Sequence, residues 1–209
     1  MQIISHRGYW KASEEKNTSI AFERSFLLGF GTETDFRDYL EDIVISHDIA
    51  NNASFTATKF FEIFNQYNSA LPLALNIKAD GLQKKLKAIL EQFNVANYFV
   101  FDMSIPDTIG YIDNNIPFFS RQSEYEMQPA FYEKCAGIWL DAFIDQWYDA
   151  DLIKKHISNG KQVAIVSFDM HKRDHLPLWK YLKEKELHSI KEIILCTDIP
   201  EDAVTFFKN

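Results

Sequence analysis

The sequence predicts a (β/α)8 barrel, and three observations lead there. Nine short apolar or β-branched runs are spread over the 209 residues. Helical patterns lie between most of them. One pair of runs stands too close for a helical crossover, which takes one strand out of the count and leaves eight strands alternating with eight helices. Periodicity alone also permits a doubly wound open sheet; the count favours the barrel. At this length residues 1–209 are expected to form a single domain, with no internal repeat or Gly/Ser/Pro-rich linker.

The elements follow in order. The first strand, 3–5, runs into His6 and Arg7, and the helix 19–28 follows Asn17 and Thr18, which can cap its start. Strands 31–36 and 43–47 are separated only by "RDYLED". A parallel crossover needs about a dozen residues or more, so these two form an antiparallel hairpin. Residues 59–67 place Phe60, Phe61, Ile63, Phe64 and Tyr67 on a helical stripe. Strand 73–77 leads to helix 82–93, with Leu82, Leu86, Ile89, Leu90 and Phe93 on one face. Strand 98–101 precedes helix 106–112, strand 116–120 precedes helix 124–134, and strand 137–140 precedes helix 149–157. Strand 163–168 with helix 178–187, then strand 193–196 with helix 201–207, complete the series.

Hydrophobic residues make up 46% of the chain and Phe occurs 18 times, so material for a core is ample. Each buried Phe contributes roughly 1.5–3 kcal/mol. The net charge is -8 and no basic block occurs, which argues against general binding to nucleic acid. An anionic substrate would need local cations or a metal to hold it against that field. Cys135 and Cys196 lie far apart without metal spacing, which fits a reducing compartment. No apolar run reaches the ~18 residues of a membrane span. No basic lead-in or cleavage region opens the chain, so a cytoplasmic protein is expected. Neither a G-x-S-x-G nor a G-x-x-x-x-G-K-[ST] motif occurs.

In a (β/α)8 barrel the chemistry sits at the C-terminal ends of the strands. His6 and Arg7 come from the first strand, Glu33 and Asp35 from the second, and His47 and Asp48 from its hairpin partner. Asn76 and Lys78 come from the third and Asp102 from the fourth; Asp141, Asp169 and Asp198 come from the last three. Glu33 and Asp35 are two apart and face the same way on a strand. Two such carboxylates repel unless a cation or a proton intervenes, and a hard divalent ion is the economical solution.

These residues resemble the glycerophosphodiester phosphodiesterase family, within the wider group of barrel-type phospholipase-C-like phosphodiesterases. The resemblance is carried by "SHRG" at 5–8, "NTSIAF" at 17–22, "GTETDFRDYLEDIVISHD" at 31–48, "LNIK" at 75–78 and "TDIP" at 197–200. It implies a metal-dependent hydrolase of glycerophosphodiesters, small or polymeric. His6 and His47 resemble its acid–base pair, Arg7 and Lys78 its phosphate contacts, and Glu33 and Asp35 its metal ligands. Asn76 stands where the family usually has a third ligand glutamate, and Lys16 where it usually has glutamate. An amide oxygen is a legitimate but weaker ligand for Mg²⁺ or Ca²⁺. Lowered metal affinity is therefore expected unless Asp102, Asp141 or Asp169 compensates. Only about two dozen residues separate Asp48 from the third strand, where relatives commonly carry an insertion, so a more open pocket is expected. Three functions fit this sequence: the hydrolase, a lyase that stops at a cyclic phosphate, and a non-catalytic phosphate-binding homologue.

Overall fold

The computed structural model describes residues 1–67 and 70–208. In chain order the elements are β1 (Gln2–His6), α1 (Ser19–Leu27), β2 (Gly31–Tyr39), β3 (Asp42–Ile45), β4 (Phe55–Thr56), α2 (Ala57–Phe64), β5 (Leu73–Ile77) and α3 (Gln83–Gln92). Then come β6 (Tyr98–Phe101), α4 (Ile105–Asp113), β7 (Phe119–Gln122), β8 (Gly137–Leu140), α5 (Ala150–Ser158), β9 (Gln162–Val166), α6 (Leu176–Glu184), β10 (Ile193–Thr197) and α7 (Pro200–Lys208). Setting aside the β3–β4 excursion, this is the eightfold strand order of the (β/α)8 class. The chain divides into two compact units, Ser5–Phe118, and Met1–Ile4 together with the chain from Phe119 onward.

In the unit of residues 5–118, β2 pairs in parallel with β5, and β5 with β6. β1 is the other neighbour of β2. The register sets Asp35 opposite Asn76. The expected hairpin is present: β2 returns as β3 in antiparallel pairing, and β4 adds a short third strand. Leu40, at the turn, takes a left-handed φ of 53°. Just before β7, Phe118 makes a parallel bridge to Val100 of β6.

Between α1, α2 and β2 lies an aromatic core of Phe22, Phe26, Phe36, Phe60, Phe61 and Phe64, all buried. Phe22 and Phe60 meet edge to face with centroids 4.7 Å apart, and Phe26 meets Phe64 at 5.1 Å. The buried positions of α2 are Ala57, Phe60, Phe61 and Phe64, the stripe that its spacing predicts. The Thr56 side chain accepts the Lys59 N–H, which starts this helix two residues ahead of the expected 59.

In the other unit, β7, β8, β9 and β10 pair successively in parallel, and β10 takes β1 as its further neighbour. β7 lies later than the expected 116–120, because polar Arg121 and Gln122 continue it beyond the apolar run. The helix expected at 124–134 does not form, which leaves seven α-helices among the described residues. Pro129 interrupts that pattern, removing an amide donor and turning Gln128 away from helical geometry. Side chains hold the segment instead: Gln122 Nε2 donates to the Met127 carbonyl at 2.9 Å, and Ser120 Oγ donates to that of Ala130 at 2.5 Å.

Candidate active site

The turn leaving β1 explains why His, Arg and Gly stand together. Arg7 has a left-handed φ of 58° and Gly8 follows with 78°. A Cβ on Gly8 would lie 2.7 Å from Ala21 Cβ and 2.8 Å from the Ala21 carbonyl carbon, so only glycine lets α1 pack this closely. The Arg7 N–H donates to the Glu33 carbonyl at 2.9 Å and to its Oε2 at 3.3 Å, and the Gly8 N–H donates to Thr32 Oγ1 at 2.9 Å. These bonds fix the turn against β2.

The loop then returns to the same place. The Asn17 N–H donates to the Arg7 carbonyl at 2.9 Å, and Asn17 itself sits at φ 59°, which asparagine tolerates better than most residues. Arg24 of α1 braces the loop, its Nη1 donating to the Tyr9 carbonyl and to Glu15 Oε2, both at 2.7 Å. The Arg24 hydrogen bond, followed by the Lys11 N–H, brings the Glu15 carboxyl down to about 2. Thr18 is the N-cap of α1, but its hydroxyl donates back to the Glu15 carbonyl at 2.6 Å, so the expected side-chain cap is not made.

Glu33 and Asp35 lie on one face of β2 and are buried, at 1% and 0% exposure. Asp35 gathers two cations and one amide donor. Arg7 Nε lies 3.0 Å from Oδ2, Asn17 Nδ2 donates to Oδ2 at 2.8 Å, and Lys78 Nζ lies 3.4 Å from Oδ1. Asn17 is held in turn by Thr34, whose hydroxyl donates to Asn17 Oδ1 at 2.8 Å. Glu33 has His6 Nε2 3.9 Å from its Oε2. Burial, and then the Asp35 charge, push the Glu33 carboxyl up to about 7, against the opposing pull of His6, Arg7 and Lys78.

His47 follows β3 in a segment held by β2. The Ser46 N–H donates to the Asp35 carbonyl at 3.0 Å, and Arg37 Nη1 donates to the Asp48 carbonyl at 2.6 Å. His47 Nδ1 is 2.8 Å from Asp48 Oδ1, a carboxylate lowered first by that hydrogen bond and then by the His47 charge. His47 and Arg7 line one pocket of about 510 Å³, together with Lys16, Asn17, Asp48 and Asn51.

Among the described residues no group of three or more His, Cys, Asp or Glu side chains could hold a metal ion. A divalent ion here would rest on Glu33, Asp35 and the amide oxygen of Asn76. Two observations favour that set. Asp35 Oδ1 and Asn76 Oδ1 are buried acceptors without a hydrogen-bond donor, and their residues are register partners on adjacent strands. Carboxylate and amide oxygens are also the donors that hard cations take. The residues therefore fit such an ion, with one formal charge fewer than three carboxylates would supply.

The structure thus brings His6, Arg7, Glu33, Asp35 and Lys78 into one network, and places His47 on the pocket that Arg7 lines. Asp141 and Asp169 engage partners of their own unit: Asp141 meets Arg121 Nη1 at 2.5 Å and His171 Nε2 at 2.7 Å, and Asp169 accepts from Thr197 Oγ1 at 2.8 Å. Asn17, read from the sequence as a helix cap, is instead a direct partner of Asp35.

No family model matches the sequence, and no curated protein matches it. Solved structures do. A candidate glycerophosphodiester phosphodiesterase from Galdieria sulphuraria superposes with a TM-score of 0.77 at 16% identity, covering 100% of this chain and 98% of that one. A phosphodiesterase from Oleispira antarctica, solved with the product sn-glycerol-3-phosphate, gives 0.75 at 15% identity, covering 100% and 97%. The glycerophosphodiester phosphodiesterase of Agrobacterium tumefaciens gives 0.73 at 12% identity, covering 100% of both. The chain shares their fold over its whole length, and the resemblance read in the sequence holds at that level.

Proposed function

We propose that this chain is a phosphoric diester hydrolase acting on glycerophosphodiesters. His6 and His47 form its acid–base pair, Arg7 and Lys78 contact the phosphate, and Glu33, Asp35 and Asn76 hold Mg²⁺ or Ca²⁺. The observation that carries this reading is the convergence of Arg7 and Lys78 on Asp35, beside a Glu33 carboxyl that has His6 within ion-pair reach. The glycerol-phosphate product bound by the Oleispira protein supports a small substrate of the same class.

A phosphodiester brings one negative charge, and attack on it builds more on oxygen. Arg7 offers a planar fork of donors, fixed at its Nε end by Asp35. Lys78 adds a compact charge on the other oxygen of the same carboxylate. The metal, when bound, would supply Lewis-acid stabilisation of that charge. Asp48 can only accept, so His47 when neutral carries its proton on Nδ1 and its lone pair on Nε2, the arrangement of a base. Giving a proton to the leaving alkoxide then falls to His6.

Both cysteines are free and buried, which suits the cytoplasmic setting we favour. No helix among the described residues is long and apolar enough to cross a membrane. The test is phosphorus NMR on a panel of glycerophosphodiesters with Mg²⁺, Ca²⁺ or Mn²⁺, and with chelator. A growing glycerol phosphate signal that chelator abolishes is expected. A cyclic phosphate that accumulates instead would make the protein a lyase, and no turnover with any pair would overturn the reading.

A further inference from the structure

The pocket of about 510 Å³ shared by Arg7 and His47 carries a second cation, Lys16. Its ammonium stands 4.2 Å from the centroid of the Trp10 ring. Among the described residues no carboxylate lies within ion-pair distance of it. Among the described residues the pocket has a single carboxylate in its lining, Asp48, and that group is engaged by His47 Nδ1 at 2.8 Å. The remaining polar wall is neutral, with Asn51 and Ser54 among its members.

This lining discriminates between head groups. A cationic alcohol needs an acidic wall or an open aromatic face. Here the Phe55 ring in the lining leans on Phe22, with centroids 6.1 Å apart, and the Trp10 face beside Lys16 already carries its ammonium. A neutral polyol would find hydroxyls and amides but leave Lys16 without an anion. We infer that the pocket selects a diester whose alcohol carries a second phosphate, with Lys16 as the residue that reads it. The inference rests on the phosphodiesterase reading above and names its substrate class.

Two further features support it. The chain carries a net charge of -8, so its overall field repels a multiply anionic ligand and capture depends on local cations. The loop bearing Lys16 is also held from both sides. Glu15 pairs with Arg24 at 2.7 Å, and Asn17 donates to Asp35 at 2.8 Å. A cation on a braced loop loses little freedom when an anion arrives.

The test compares kcat/KM for glycerophosphocholine, glycerophosphoglycerol and the phosphomonoester of the latter on its terminal hydroxyl. Wild type is expected to prefer the last over the first by about tenfold or more, the scale of one charge-assisted hydrogen bond. Lys16→Glu is expected to cut the ratio between the phosphorylated and plain glycerol head groups by about tenfold, and Lys16→Arg to keep it. A ratio that Lys16→Glu leaves unchanged overturns the inference and leaves the phosphodiesterase reading standing. If no diester turns over, the activity reading fails and calorimetry decides the pocket. Glycerol 1,3-bisphosphate should then bind wild type about tenfold more tightly than glycerol 3-phosphate, and Lys16→Ala should erase the difference. Equal affinities for the two overturn the inference.

Discussion

The Arg7 guanidinium Nε lies 3.0 Å from Asp35 Oδ2, joining a carboxylate with no solvent exposure to an arginine whose side chain is 21% exposed. Breaking a buried pair from one side usually costs about 3–5 kcal/mol, because the other charge is stranded. Arg7 and Lys78 both reach some solvent, which moderates the loss. Asp35→Asn is therefore expected to lower stability by on the order of 2–4 kcal/mol in urea unfolding and to abolish turnover. An unchanged midpoint would show that the two cations find water just as readily.

His47 separates catalysis from folding. Its side chain is 47% exposed, so His47→Ala should leave the unfolding free energy within about 0.5 kcal/mol of wild type. The same variant should lose roughly 10²–10⁴-fold in kcat, the range for a missing proton-transfer group. Steady-state kinetics beside a urea melt checks both halves, and a kcat loss below about tenfold removes His47 from the acid–base pair.

His156 sets an acid limb in stability. It is buried; Tyr132 donates its hydroxyl proton to Nδ1 at 2.9 Å, and Nε2 donates to Gln122 Oε1 at 2.8 Å, which describes a neutral ring. Burial, and then the Lys155 charge, hold its pKa below the ordinary 6.5. As pH falls through 6.5 the unfolded chain takes up a proton that the folded chain refuses. The contribution is thus complete above 6.5 and is lost as pH drops toward the lower folded value. This one group adds a slope of at most about 1.4 kcal/mol per pH unit. Urea midpoints at pH 5, 6 and 7 should fall more steeply in wild type than in His156→Gln, and parallel curves would refute the assignment.

Gly8→Ala tests the turn that carries Arg7. The φ of 78° and the 2.7 Å approach to Ala21 act together, so destabilisation on the order of 2–5 kcal/mol is expected. The measurement is the thermal midpoint against that of Gly160→Ala. That control also has a positive φ, 76°, but nothing lies within 4 Å of the added Cβ. Equal losses in the two variants would mean that conformation alone, and not contact with Ala21, demands glycine.

Much of this was legible in the sequence for physical reasons. The six residues between Phe36 and Ile43 could only make a hairpin, and the Phe60–Phe61–Phe64 stripe could only make a helix face. Glu33 and Asp35 were readable because strand alternation gives them one side. The helix at 124–134 misled because its apolar spacing was counted without weighing Pro129 against it. Asn17 was placed correctly at a helix start, but its role depends on a left-handed backbone and on a partner 18 residues away. Neither leaves a mark in local periodicity. The same holds for Lys16, whose meaning lies in the missing carboxylate rather than in its neighbours along the chain.

The pairing of β1 with β10 sets a constraint on biosynthesis. Ile4, in the first strand, is fully buried, and the far edge of that strand is met by Ile193–Thr197. A ribosome working at about 5–20 residues per second delivers the last strand roughly ten to forty seconds after the first. Through that interval β1 must keep one hydrogen-bonding edge open while the phenylalanine cluster of the 5–118 unit can already condense. The nascent chain is therefore most exposed to stray pairing along β1, and that is where a chaperone would have the most to shield.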